Sequence, residues 1–201
     1  VGEHLIDEPS EDKNITKMSL DTPAKATQNA IDAILKADYI ILGPGDIYTT
    51  TIPNILVDGI SEAIQKSKGK VMYIANLMSK IGQTRGMTQG ECLKVVESYV
   101  GRRMDFVLIN NGDIPQKAYE RYLEDGEDLI KDDLNSNRKS VVIREDLVAS
   151  DTIKRDKGDV LVRSLVRHDS EKLANVLVKI FNRNRSKVLS FLYSFLSQYK
   201  D

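Results

Sequence analysis

A chain of 201 residues, 41% of them hydrophobic and with a formal charge of −1, is long enough to bury the core of one domain. Near neutrality gives no electrostatic case for nucleic acid, which would need a basic face, no apolar run approaches the roughly 20 residues of a membrane span, and no secretory signal is visible, so a cytoplasmic globular protein is expected. The one cysteine, Cys92, excludes an internal disulfide or a cysteine metal cluster, and its neighbours Leu93, Val95 and Val96 mark it as a packed small hydrophobe.

In chain order, the charged and poorly periodic residues Glu3 to Lys13 predict a loop or a displaced strand. Tyr39–Leu42 reads as a buried strand that runs into Gly43-Pro44-Gly45 and a hydroxyl cluster, Thr49, Thr50 and Thr51. A helix follows, apolar at Ile52, Leu56, Ile60 and Ile64, with Pro53 tolerated in its first turn. After the turn signal Lys68-Gly69-Lys70, Val71–Ala75 predicts a second strand. A long polar loop passes through Gly82 and Gly86, and Thr88 with Glu91 forms a capping-box pattern before a helix over Cys92–Tyr99. Phe106–Ile109 is a third strand, ending in Asn110-Asn111-Gly112-Asp113, and Pro115 opens a helix reaching Leu123. Glu124–Lys139 reads as loop with at most a short helix, and Val141–Ile143 as a fourth strand. From Ser170 the tail is helical, in two pieces separated by Asn182-Arg183-Asn184-Arg185. The second piece carries an apolar stripe (Val188, Leu189, Leu192, Phe195, Leu196, Tyr199) suited to core packing or to a homo-oligomer surface.

Strands alternating with helices predict an α/β fold, a Rossmann-like and mostly parallel sheet flanked by helices. In such sheets ligands bind beyond the carboxyl ends of the strands. The richest polar clusters fall there: Gly43–Thr51, Asn76–Thr88 and Asn110–Asp113. A strand feeding a glycine loop that opens a helix suits an anion, because backbone N–H groups and the helix dipole converge on it. Gly43, Pro44 and Gly45 are the first candidates, against the plainer reading of a tight turn. Thr49 and Thr50 donate to phosphate or cap the helix. Asn54 lies in the first helical turn. Asn76, Asn110 and Asn111 bind a sugar or base or satisfy loop backbone. Asp46 and Asp113 are the best carboxylates for Mg²⁺ against a pyrophosphate, although an Asx turn accounts for either one. Tyr119 and Tyr122 at helical spacing fit core or half-buried surface positions, and Arg167 can grip phosphate bidentately. His168 is a helix-entry histidine, more structural than catalytic. A dinucleotide fingerprint is not met, since Tyr48 stands where the third glycine belongs. No Gly-Lys-Ser/Thr follows for a P-loop, and His4 with His168 are too few for zinc.

The segments LGPGDIYTTTIPN and, from Ile74, IANLMSKIGQTRGMT, with VLINNGDIP from Val107, KAYERYLEDG from Lys117 and LVRHDSEKLA from Leu165, resemble the YvcK/CofD-like family. This is the gluconeogenesis-factor group related to 2-phospho-L-lactate transferase. The resemblance runs from about Ala37 to Ala174 and is closer to the gluconeogenesis-factor branch. The family's opening GGGTG segment has no counterpart, so residues 1–201 are expected to form a single α/β domain that is the C-terminal portion of a longer protein, with 183–201 as a helical extension. The resemblance implies a nucleotide-sugar ligand of the UDP-N-acetylglucosamine kind, held by the glycine loop with Tyr48, by Tyr122 near the base and by Arg167. It implies a regulatory role in carbon metabolism and envelope growth. The alternative it implies is a Mg²⁺-dependent transferase moving a phospho-lactyl group from a nucleotide diphosphate, with Asp113 as a metal ligand.

Overall fold

A computed structural model describes residues 6, 14–135, 139–150 and 165–182. Residues Glu3 to Lys13 apart from Ile6, and the second tail helix, lie outside the described residues. Among the described residues, helix α1 (Gln28–Lys36) precedes strand β1 (Tyr39–Leu42). Then come a π-helical turn (Ile47–Thr51), α2 (Ile52–Ile55) and α3 (Ile60–Lys66). Strand β2 (Lys70–Ile74), α4 (Gln89–Val100), β3 (Phe106–Asn110), α5 (Gln116–Glu124) and β4 (Val141–Glu145) follow, and α6 spans 170–182.

The four strands lie in sequence order, β1-β2-β3-β4, and every neighbouring pair is parallel. Ile40 pairs with Val71, Met72 with Phe106, and Leu108 with Ile143. Each crossover therefore moves one strand in the same direction, and crossovers of the favoured right hand then share one face, where the first two place their helices. That face holds the main core: Ile52, Ile55 and Ile64 from α2 and α3, with Cys92, Leu93 and Val96 from α4, against Val71, Tyr73, Val107 and Ile109. On the opposite face Met72, Ile74 and Leu108 pack under Val176 and Ile180 of α6, where the Tyr39 and Phe181 rings lie 4.4 Å apart. Coverage on both sides explains why Val71–Ile74 is an unbroken buried run rather than an alternating one.

Four strands stand where their patterns predict them, within one or two residues, and helix α4 begins three residues before its expected start. The continuous helix expected over Ile52–Ile64 is broken instead. It starts as a π-helical turn and stops before Gly59, whose φ of +94° belongs to a residue without a Cβ. Helix α1 was not among the expected elements. Its signal is local: the Thr27 hydroxyl accepts from Ala30 N–H, with apolar residues following at helical spacing. Helix α5 does not lie on a sheet face. Its Ala118 and Tyr122 pack against Leu77, Val148 and Val166 at the carboxyl edge.

Candidate functional site

Loops from the ends of the first three strands meet at this edge. At the end of β1, Gly43 has a φ of +86°, and a Cβ there would lie 2.8 Å from the Ile74 carbonyl oxygen. The glycine loop is thus pressed onto the end of β2. The Gly43–Pro44 peptide is cis. A Cβ on Gly45 would fall 2.8 Å from Thr50 Cγ2, so that glycine is fixed by its closeness to the hydroxyl cluster. The Asp46 carbonyl accepts from both Thr50 and Thr51 N–H, at 3.0 and 2.9 Å, which closes the turn.

The β2 loop, residues 76–88, is held down by the segment after α5. Ser79 N–H donates to the Asp128 carbonyl at 2.7 Å, and Gln89 N–H to the Lys131 carbonyl at 2.9 Å. Asp128 N–H in turn donates to Ser79 Oγ at 2.9 Å. Lys80 Nζ crosses to the glycine loop and meets Asp46 Oδ2 at 2.8 Å.

The β3 loop is stitched by Asn110. Its Oδ1 accepts from Gly112 N–H at 3.1 Å and Leu147 N–H at 2.9 Å, and its Nδ2 donates to the Gly112 carbonyl at 2.8 Å. Residues 147–149 then pair with 167–169: Ala149 N–H donates to the Arg167 carbonyl and Asp169 N–H to the Leu147 carbonyl. Asp169 caps α6 by accepting from Glu171 and Lys172 N–H. His168 is thereby set against the end of β2. Burial holds its pKa below the usual histidine value, against the pull of a hydrogen bond to the Ala75 backbone. Its buried Nε2 has no partner among the described residues. A neutral imidazole is the form this setting favours.

A family model described as 2-phospho-L-lactate transferase CofD matches residues 1–149. The chain belongs to the CofD family. A Thermotoga maritima protein, provisionally named a gluconeogenesis factor, is 35% identical over 89% of this chain and 56% of its own length. The gluconeogenesis factor of Listeria innocua is 30% identical over 92% of this chain and 54% of its own. The chain spans about half the length of the curated relatives it matches. A crystal structure of a Bacillus halodurans protein superposes with a TM-score of 0.75 at 26% identity, covering 88% of this chain and 54% of that one. A second crystal structure of that protein is described as a member of the UPF0052 family.

Within this CofD-family chain, the residues singled out by sequence fall into two groups. Gly43, Pro44, Gly45, Thr49, Thr50, Asn54, Asn76, Asn111, Asp113 and Arg167 lie on the loops of the carboxyl edge or at their margins, exposed or half-buried. Asn54 Nδ2 donates to the Thr50 carbonyl at 2.7 Å, and Asn76 Oδ1 accepts weakly from Tyr73 Oη at 3.4 Å. No hydrogen bond or ion pair of the Arg167 guanidinium or the Asp113 carboxylate occurs among the described residues. Tyr48, Asn110 and Tyr122 form the second group. Tyr48 is 2% exposed, its hydroxyl donates to the Ile15 carbonyl at 3.0 Å, and burial raises its pKa. Tyr122 is 7% exposed, and its hydroxyl accepts from Leu165 N–H at 3.0 Å and Val166 N–H at 3.4 Å. Both rings are core, and every polar atom of the Asn110 side chain is committed to backbone.

Two residues of the edge were not foreseen in these roles. Thr51 is 6% exposed and its Oγ1 has no partner among the described residues. It lines the glycine-loop end of a mainly apolar groove of about 660 Å³ beside β1, whose walls are Ile34, Ile40, Ile55, Ile60 and Ile64. Lys80 is the other. An ion pair 34 residues apart leaves no local pattern for a sequence reading to find. Cys92 takes no part: burial, then the Glu91 charge, push its thiol up to about 12. Among the described residues no group of three or more His, Cys, Asp or Glu side chains is gathered for a metal, and no helix is long and apolar enough to cross a membrane.

Proposed function

We propose that the carboxyl edge binds the pyrophosphate and sugar of a nucleotide sugar of the UDP-N-acetylglucosamine kind, as a regulatory binding module of carbon metabolism and envelope growth. The observation that carries this reading is the convergence of the glycine loop, the β2 loop and the β3 loop, with the 165–169 segment tied to the same edge through His168. In this reading the phosphates sit over Gly43–Gly45, with Thr49, Thr50 and the partnerless Thr51 hydroxyl as donors. Asn76 and Asn111 face the sugar or base, and the Arg167 guanidinium grips a phosphate oxygen. Tyr122 and Asn110 position these loops rather than touching the ligand.

The description of the matching family model favours a second reading, a transferase acting on a nucleotide diphosphate donor. Mg²⁺ binds through one or two carboxylates plus phosphate oxygens, and Asp113, exposed at the end of β3, is the side chain best placed to supply one. Mg²⁺ would then neutralise charge developing on the transferred group. Calorimetry with UDP-N-acetylglucosamine on the intact protein, paired with product analysis in Mg²⁺, separates the two. The binding module predicts that Arg167→Ala costs about 1.5–3 kcal/mol of affinity, the range of a charged hydrogen bond, while Asp113→Asn binds normally and no product forms. Turnover abolished by Asp113→Asn would establish the enzyme instead, and unchanged affinity in Arg167→Ala would remove that residue from the site.

A further inference from the structure

The ion pair at the mouth of the glycine loop has an arrangement suited to more than bracing. Asp46 directly follows Gly45, and its main chain is pinned by the two N–H groups of Thr50 and Thr51. Lys80 is pinned as well. Its N–H donates to Thr84 Oγ1 at 3.0 Å, and its carbonyl accepts from Gln83 and Thr84 N–H. What can move is the lysine's flexible four-carbon stem and the aspartate side chain, which are 29% and 38% exposed. Glu127 stands close by, accepting from Ile81 N–H at 3.4 Å and feeling the charges of both Lys80 and Asp46. An anion approaching this loop therefore meets the Lys80 ammonium already paired with the Asp46 carboxylate, with the Glu127 charge nearby. A half-exposed ion pair is held weakly, so a phosphate oxygen can compete for the same ammonium.

We propose that Lys80 is a ligand-binding residue held in reserve by Asp46: its ammonium pairs with the carboxylate, and on ligand binding it exchanges that carboxylate for a phosphate oxygen. This inference rests on the glycine loop as the phosphate site. It makes Asp46 an internal competitor of the ligand, so that the pair sets how anionic a group must be to enter.

The test is calorimetric titration of the intact protein with uridine diphosphate and with inorganic pyrophosphate, each with and without Mg²⁺. Lys80→Met should weaken both by about tenfold or more, as expected when a charged hydrogen bond is lost, and Lys80→Arg should restore most of the affinity. Asp46→Asn should tighten binding by roughly three- to tenfold, and that gain should vanish in the Lys80→Met background, a non-additivity that direct contact predicts. A latch that only shapes the loop would make both single variants weaker, which overturns the inference. So would a gain from Asp46→Asn that persists without the lysine, because simple repulsion then suffices. Weaker binding of Asp46→Asn only in Mg²⁺ would make Asp46 a metal holder instead. If Thr50→Val and Thr51→Val leave pyrophosphate binding unchanged while Lys80→Met abolishes it, the glycine-loop reading is at fault rather than the lysine. If the wild type binds neither probe, both fall.

Discussion

At the scale of single residues, Tyr122 ties helix α5 to the segment that carries Arg167. Its hydroxyl is the acceptor for two consecutive backbone N–H groups, those of Leu165 and Val166, just before Arg167. Removing the hydroxyl leaves both donors facing an apolar ring, and a buried donor without its partner costs about 1–3 kcal/mol. Tyr122→Phe should therefore lower unfolding free energy by that amount in urea titration, and weaken nucleotide-sugar binding indirectly through a displaced Arg167. A ring stacked on a base would behave in the opposite way, since phenylalanine stacks as well as tyrosine. Unchanged stability with unchanged affinity would return the ring to the ligand.

At the scale of elements, the helices are defined by their ends. Helix α4 begins with a capping box: Glu91 N–H donates to Thr88 Oγ1 at 3.2 Å, and Thr88 N–H to Glu91 Oε2 at 2.8 Å. The fold adds a cap from far along the chain. The Asp133 carboxylate accepts from Gly90 N–H at 2.7 Å and from Thr88 Oγ1 at 2.9 Å, and a Cβ on Gly90 would lie 2.8 Å from it. An acid at a helix start is favoured by the dipole. Thr88→Ala should cost about 1–2 kcal/mol, more than a capping box alone implies because the Asp133 contact goes too. A double-mutant cycle with Asp133→Ala, read by denaturant unfolding, should show that the two losses do not add. The box was visible in sequence because its partners are three residues apart. Asp133 was not, because it lies 45 residues from Thr88.

At the scale of the whole molecule, one carboxylate ties the amino ends of the central strands together. Asp105 accepts from Lys70 Nζ at 2.7 Å, Val71 N–H at 3.0 Å and Arg102 Nη2 at 3.0 Å. Partial burial raises its pKa, but the Lys70 and Val71 hydrogen bonds and the Lys70 and Arg102 charges outweigh that, so its pKa is lowered overall. A carboxylate with a depressed folded pKa stabilises the fold above its unfolded value of about 3.9 and loses that contribution as pH falls through the folded value. Asp105→Asn should thus unfold more easily than wild type at pH 7, by about 1–2 kcal/mol given its partial exposure. The gap should close as the pH is taken below about 4. A gap that stays constant down to pH 2 would assign the loss to packing rather than charge.

Strand identity, parallel order and the edge that carries the loops could be read from the chain because they rest on local patterns. Tyr39–Leu42, Val71–Ile74 and Phe106–Ile109 are apolar runs of strand length separated by helix-length segments, and crossover geometry leaves them little choice. The glycine loop was legible for the same reason. What only the tertiary structure decided is which polar side chains of that edge remain free. Tyr48, Asn110 and Tyr122 look like ligand residues by type, yet Ile15, Leu147, Leu165 and Val166 take up their hydrogen-bonding atoms. Buried backbone must find partners, and which side chain supplies them depends on packing between residues 33 to 44 positions apart. The Lys80–Asp46 pair and the partnerless Thr51 hydroxyl became visible for that same reason: being paired or unpaired is a property of the folded neighbourhood, which no local spacing encodes.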